Sequence, residues 1–131
     1  DANVPNLLSI PYFEYQSDEN EIYQNTRRFC LSKENPYYFE GKVLKGIGSP
    51  HTPDGYVWHI GIVLQALTSS DEKEIKEIIN MVLSSDAGTN YTHEGINKDN
   101  PNEFTRAWFA WSNSLFAYLV LKSKKLICGG K

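Results

Sequence analysis

Two stretches of this chain are apolar almost all the way round a helix, and a helix of that kind has to be surrounded. The first runs from Gly55 to Leu67 and carries Val57, Trp58, Ile60, Ile62, Val63, Leu64 and Leu67. The second is expected from Pro101 to about Lys122. There Phe104, Trp108, Trp111, Leu115 and Tyr118 form one face, and Phe109, Phe116 and Val120 a second. Between them Ser69-Ser70-Asp71-Glu72 reads as a helix start. Ile75, Ile78, Ile79 and Val82 then form one stripe with charges opposite, the signature of an outer, half-exposed helix.

A buried helix, an exposed helix, a polar loop and another buried helix suit a two-layer array of helical hairpins. A closed ring of six hairpins takes twelve helices and about 200 residues, at roughly 12 per helix and 5 per connection. The 131 residues supply only part of such a ring. The reading is therefore a mainly all-α fold, one partial domain over 1–131, with 122–131 as a frayed tail. Two further helices are expected, a short one over Asn3–Pro11 and one over Asp18–Ser32. Tyr37-Tyr38-Phe39 and Val43-Leu44 around Glu40-Gly41 read as a small β-hairpin. The second long helix is expected to start at Asn100 as cap, with Pro101 in its first turn and Glu103 closing the box.

Charge narrows the partners. Thirteen Lys and Arg against sixteen Asp and Glu leave a net charge of −3, which excludes a strongly basic nucleic-acid binder. No run of roughly 18 apolar residues occurs, so no membrane span is expected. No signal-peptide pattern opens the sequence, and the compartment stays open. The first residue is Asp1 rather than Met, which reads as a processed chain, an expression product or a fragment. Cys30 and Cys128 read as free thiols.

The polar groups concentrate in three clusters at the ends of the expected inner helices: Asp1-Ala2-Asn3, Ser49 to Asp54, and Tyr91-Thr92-His93-Glu94. His93-Glu94 lacks the second His of a zinc protease helix. His51 and His59 have no Cys or Asp at ligand spacing, so no metal site is expected. No serine-nucleophile elbow and no phosphate loop occurs. Glu94, in a Gly-flanked polar loop, is a candidate general base as well as a candidate solvated loop residue. His51, between two prolines, is held by a stiff backbone that suits either a ligand contact or a plain turn. Arg106, early in an apolar helix, needs a partner, and Glu103 and Glu94 are both within reach.

Four strings bear on these alternatives by resemblance. Asp-Ala-Asn-Val-Pro-Asn-Leu-Leu-Ser-Ile-Pro-Tyr (1–12), Gly-Ile-Gly-Ser-Pro-His-Thr-Pro (46–53), His-Glu (93–94) and Phe-Thr-Arg-Ala-Trp-Phe-Ala-Trp-Ser-Asn-Ser-Leu-Phe (104–116) resemble, in order, the C-terminal part of glycoside hydrolase family 125. The resemblance runs from Asp1 to about Leu121. It implies part of an (α/α)6 barrel, no cofactor or metal, and an α-1,6-linked mannose glycan as ligand. The implied reaction is inverting, exo-acting hydrolysis, in which Glu94 matches the general base. The general acid, an Asp upstream of the first string, and the N-terminal barrel half lie outside this chain. This piece alone is expected to be inactive, and its bared inner helices to favour self-association. Asp1, Asn3, His51, Thr52, His93 and Trp111 are the expected substrate-binding residues. Trp58 shares with Trp111 the capacity to stack on a sugar face, and both equally suit a core. Two departures stand out: one Asp where the family usually has Asp-Asp before Ala-Asn, and Gly95-Ile96 where it often has Ser-Phe. The rival reading is a non-catalytic helical module that binds carbohydrate or protein.

Overall fold

The computed structural model describes residues 1–129. Five helices and two small antiparallel sheets follow one another in mixed order. Helix α1 (Glu21–Cys30) is followed by strands β1 (Tyr38–Glu40), β2 (Lys45–Ile47) and β3 (Tyr56–Trp58). Then come α2 (His59–Leu67), α3 (Glu72–Leu83), β4 (Gly95–Asn97), β5 (Asn100–Phe104), α4 (Ala110–Lys122) and α5 (Lys124–Cys128).

Helix α2 is the centre of the molecule. It packs against α3 on one side and α4 on another, and every residue but Gln65 is buried. Ile60, Ile62, Val63 and Leu64 have no exposed surface. Helix α3 keeps the expected stripe, burying Ile78, Ile79 and Val82, with Asp71 as its cap through an Oδ1 that accepts from Lys73 N at 2.8 Å. Helix α1 is capped by Asn20, whose Oδ1 accepts from Tyr23 N at 3.1 Å. Arg27 ties α1 to the α2–α3 corner. Its guanidinium donates to Thr68 Oγ1 at 2.9 Å, to Gln65 O at 3.1 Å and to both oxygens of Glu74 at 2.9 Å.

Several expectations need correcting. The segment Asn3–Pro11 forms turns, not a helix. Asn6 and Ser9 bond each other's backbone, with Ser9 N on Asn6 Oδ1 and Asn6 N on Ser9 Oγ, both at 2.9 Å, and that competes with a helical ladder. The first apolar stretch starts as a strand. Tyr56, Val57 and Trp58 pair with Asn97, Ile96 and Gly95, and aromatic and β-branched side chains favour that pleat. The second is helical only from Ala110. Asn100-Pro101 begins β5, where proline is tolerated because β5 is an edge strand of the sheet β3-β4-β5. Glu103 closes no capping box. Its carboxylate accepts from Asn97 Nδ2 at 2.7 Å and from Asn100 Nδ2 at 3.0 Å, bridging the β4–β5 hairpin.

Helix α4 is also less enclosed than expected. It buries only Ser112, Leu115 and Leu119, and leaves Tyr118 and Leu121 exposed. The expected hairpin is present with its second strand displaced: β1 pairs with Lys45–Ile47 instead of Val43-Leu44, and Phe39 stands opposite Gly46. The segment expected as a frayed tail is helical over Lys124–Cys128 with no buried residue, and 130–131 lie outside the described residues. Both cysteines are free.

Candidate functional site

The N-terminal strings and the 93–106 hairpin meet around the start of α2. Ala2 N donates to Gly48 O at 2.8 Å, which docks the first residues against the 46–53 loop. Gly48 is required there, because an added Cβ would lie 2.1 Å from Tyr56 O. Asn3 Nδ2 then donates to Ser49 Oγ at 3.1 Å, and Asn3 N to Asp1 Oδ1 at 2.8 Å. Within the loop His51 is exposed, and Thr52 Oγ1 accepts from Trp58 Nε1 at 2.9 Å. Thr52 sits directly on Gly95. A Cβ at Gly95 would come within 2.9 Å of Thr52 Cγ2. Gly95 therefore leaves room for the 49–54 loop to pack on β4, one residue from Glu94.

Glu94 is held through both carboxylate oxygens. Its side chain is 14% exposed, and Oε1 lies 3.0 Å from Arg106 Nε. Oε2 accepts from Thr105 Oγ1 at 3.1 Å. The backbone explains the pairing: Ile96 faces Phe104 across β4–β5, so the next residues outward, Gly95 and Glu94, face Thr105 and Arg106. Thr105 N donates to Gly95 O at 2.8 Å and Glu94 N to Thr105 O at 3.3 Å. Arg106 has φ 49°, in the left-handed region, at a cost of roughly 1–2 kcal/mol for a residue with a Cβ. This turn ends the hairpin and sends the chain toward α4. The guanidinium also lies over the Phe109 ring, 5.7 Å from its centroid. Because the Arg106 side chain is 64% exposed, its ion pair contributes orientation more than stability.

His93 is placed differently from the sequence expectation. The ring has no exposed surface, so it supports the loop from behind instead of facing a ligand. Its Nδ1 lies 3.3 Å from Arg106 O, its Nε2 3.2 Å from Asp86 O, and it stacks on Phe104 with centroids 3.9 Å apart. His93 N donates to His59 Nδ1 at 2.9 Å, so the other ring nitrogen of His59 carries the hydrogen and donates to Ser85 Oγ at 2.8 Å. Burial, and then the neighbouring His93, push the His59 pKa down to about 3, with Asp86 acting in the opposite direction. His59 thus stays neutral and fixes the backbone one residue before Glu94.

The tryptophans divide in the same way. Trp58 is 2% exposed, a core residue bonded to Thr52, and it meets Phe109 edge-on at 6.3 Å. Trp111 is partly open beside Phe109, with centroids 6.1 Å apart. Trp108, more exposed still at 61%, is a second aromatic surface that the sequence placed in a helix face. The structure therefore joins Asp1, Asn3, Ser49 and Thr52 through short contacts, and Thr52 lies against Gly95, the residue after Glu94. His51 is exposed in the same loop, and His93 lies behind it. Thr105 and the left-handed turn at Arg106 were missed as site features. The alternation that would have revealed them is masked by the helix-start pattern at Asn100-Pro101. Among the described residues, no three His, Cys, Asp or Glu side chains converge as a metal-ligand set.

This arrangement has close counterparts. A relative from Schizosaccharomyces pombe (strain 972), the meiotically up-regulated gene 157 protein, is 47% identical over 122 residues, covering 92% of this chain. A solved Streptococcus pneumoniae structure of a metal-independent α-mannosidase, in a non-productive substrate complex with α-1,6-mannobiose, superposes with a TM-score of 0.92. It is 43% identical and covers 93% of this chain. This chain spans 24% of the yeast relative and 29% of the solved chain. The family model of metal-independent α-mannosidases matches residues 1–121, and the chain belongs to glycoside hydrolase family 125.

Proposed function

We propose that this chain supplies the general base and part of the terminal-mannose pocket of an inverting exo-α-1,6-mannosidase. The observation that carries the reading is the Glu94 carboxylate, fixed through both oxygens beside the loop that joins Asn3, Ser49 and Thr52. A carboxylate that accepts a water proton needs a defined direction, and its remaining lone pairs stay free for that water. Inversion requires a second carboxyl, the acid, roughly 6.5–9.5 Å away across the sugar, so that the water fits on the face opposite the leaving oxygen. That acid belongs to a part of the full-length protein outside this chain.

In this reading Asp1, Asn3, His51 and Thr52 hydrogen-bond the hydroxyls of the terminal mannose, and Trp111 offers an apolar face to the ring. His93 contributes by holding the loop. Helices α2 and α4 are inner helices of an (α/α)6 barrel and α3 an outer one. The remaining barrel half covers the open side of α4. Without that half, the exposed Tyr118 and Leu121 favour self-association.

The test compares hydrolysis of α-1,6-mannobiose by this chain, by the full-length protein, and by full-length Glu94→Gln. The reading expects activity only in the full-length wild type, with Glu94→Gln lowering kcat by about 10²–10⁴-fold. Unchanged activity in Glu94→Gln would remove the base assignment. A folded full-length protein that binds mannose without hydrolysing it would favour the binding-module reading.

A further inference from the structure

Thr105 is the one side chain that couples the backbone of the 93–106 hairpin to a carboxylate oxygen of Glu94. A threonine hydroxyl has one hydrogen and two lone pairs. Gly95 N can only donate, and it reaches Thr105 Oγ1 at 3.0 Å, so it occupies a lone pair. The hydroxyl hydrogen is then left for Glu94 Oε2, 3.1 Å away. The direction of this bond is set by the strand pairing, because Thr105 N also donates to Gly95 O at 2.8 Å and keeps the two residues opposite each other. The exposed Arg106 guanidinium holds the other oxygen at 3.0 Å from the solvent side, where its charge is screened and its long side chain less constrained than that of Thr105.

We propose that Thr105 is the positioning residue of the reaction: its hydroxyl fixes the rotation of the Glu94 carboxylate so that the oxygen facing the attacking water is aimed in line. The inference rests on Glu94 being the general base. Thr105 touches neither sugar nor water in this role, so its removal acts on kcat rather than on binding. A carboxylate free to rotate spends less time in the attack geometry, and small misplacements of reacting groups cost up to about 100-fold in rate.

The test uses the full-length protein with α-1,6-mannobiose and four variants. Thr105→Val keeps the shape and removes both the donor to Glu94 and the acceptor of Gly95 N; Thr105→Ser keeps both and removes a methyl. Thr105→Cys substitutes a weak donor, and Glu94→Gln is the reference for loss of the base. The expected result is a kcat lowered by about 10- to 100-fold in Thr105→Val with KM within about threefold. Thr105→Ser should recover kcat to within about threefold of wild type, and Thr105→Cys should fall between. If Thr105→Val does not fold, the ratio of Ser to Cys decides, and a ratio near one overturns the proposal. Glu94→Gln inactive with Thr105→Val unchanged, or with Thr105→Ser as slow as Thr105→Val, overturns the positioning role alone. Glu94→Gln fully active overturns the base reading and this inference together.

Discussion

Helix α2 is enclosed by α3 and α4, and eight of its nine residues are buried, whereas α4 meets α2 along one stripe and leaves Tyr118 and Leu121 open. Both helices are dominated by apolar side chains, so composition does not account for the difference. Neighbours do. Around α2 even the polar groups are engaged: Gln65 Nε2 donates to Glu74 Oε1 at 2.7 Å, and His59 bonds through both ring nitrogens. Along α4, Tyr118 meets Tyr12 edge-on with centroids 6.3 Å apart yet stays largely open, and Trp111 and Leu121 are exposed too. The buried helix is where the site loops emerge, and the open one is the face on which the proposed reading places the rest of the barrel.

This contrast can be tested by perturbing each helix. Leu64→Ala in α2 empties a fully enclosed position and is expected to cost about 2–5 kcal/mol. The matched change Leu121→Ser, on the open side of α4, is expected to stay within about 0.5 kcal/mol in this chain. Urea unfolding of both variants checks the pair, and equal losses would contradict the difference in enclosure.

Acid tests the same region with a smaller effect. The His59 pKa stands near 3 in the fold against an ordinary value of 6.5. Above pH 6.5 the ring is neutral in both folded and unfolded chains, and its contribution is constant. Between pH 6.5 and 3 only the unfolded chain takes up the proton. Stability then falls as pH drops, by up to about 1.4 kcal/mol per unit, and the loss levels off below about 3. Unfolding midpoints at pH 7, 6 and 5 should therefore decline in wild type, and the decline should flatten in His59→Gln. An identical decline in both would show that other groups drive it.

The sequence made some of this legible and hid the rest for definite reasons. The single stripe of α3 emerged in place, and the enclosure of α2 did so from His59 onward, after Tyr56–Trp58 had gone to a strand. The β3-β4-β5 sheet was hidden because its strands are short and its one fully buried β4 residue, Ile96, has no alternating neighbours. Val57 pairs with Ile96 from a distant part of the chain, and no local pattern announces that contact. Asn100-Pro101 with Glu103 is as good a helix start as the language of caps allows, yet Asn97 and Asn100 bind Glu103 in a hairpin instead. In the site, Arg106 was correctly considered as a partner of Glu94, but as a buried helical residue rather than an exposed one on a left-handed turn. His93 was expected among the substrate-binding residues through the family resemblance. The structure buries it, with one ring nitrogen 3.3 Å from Arg106 O and the other 3.2 Å from Asp86 O.

The assignment of Glu94 as the base of an inverting hydrolysis is most directly tested by proton NMR of the first sugar released from α-1,6-mannobiose by the full-length protein. With the reducing end capped as a methyl glycoside, so that the one free mannose comes from the cleaved bond, the account predicts that β-mannose appears before mutarotation, and that Glu94→Gln abolishes its release while the protein stays folded. Release of α-mannose first, or β-mannose at an undiminished rate from Glu94→Gln, would contradict it.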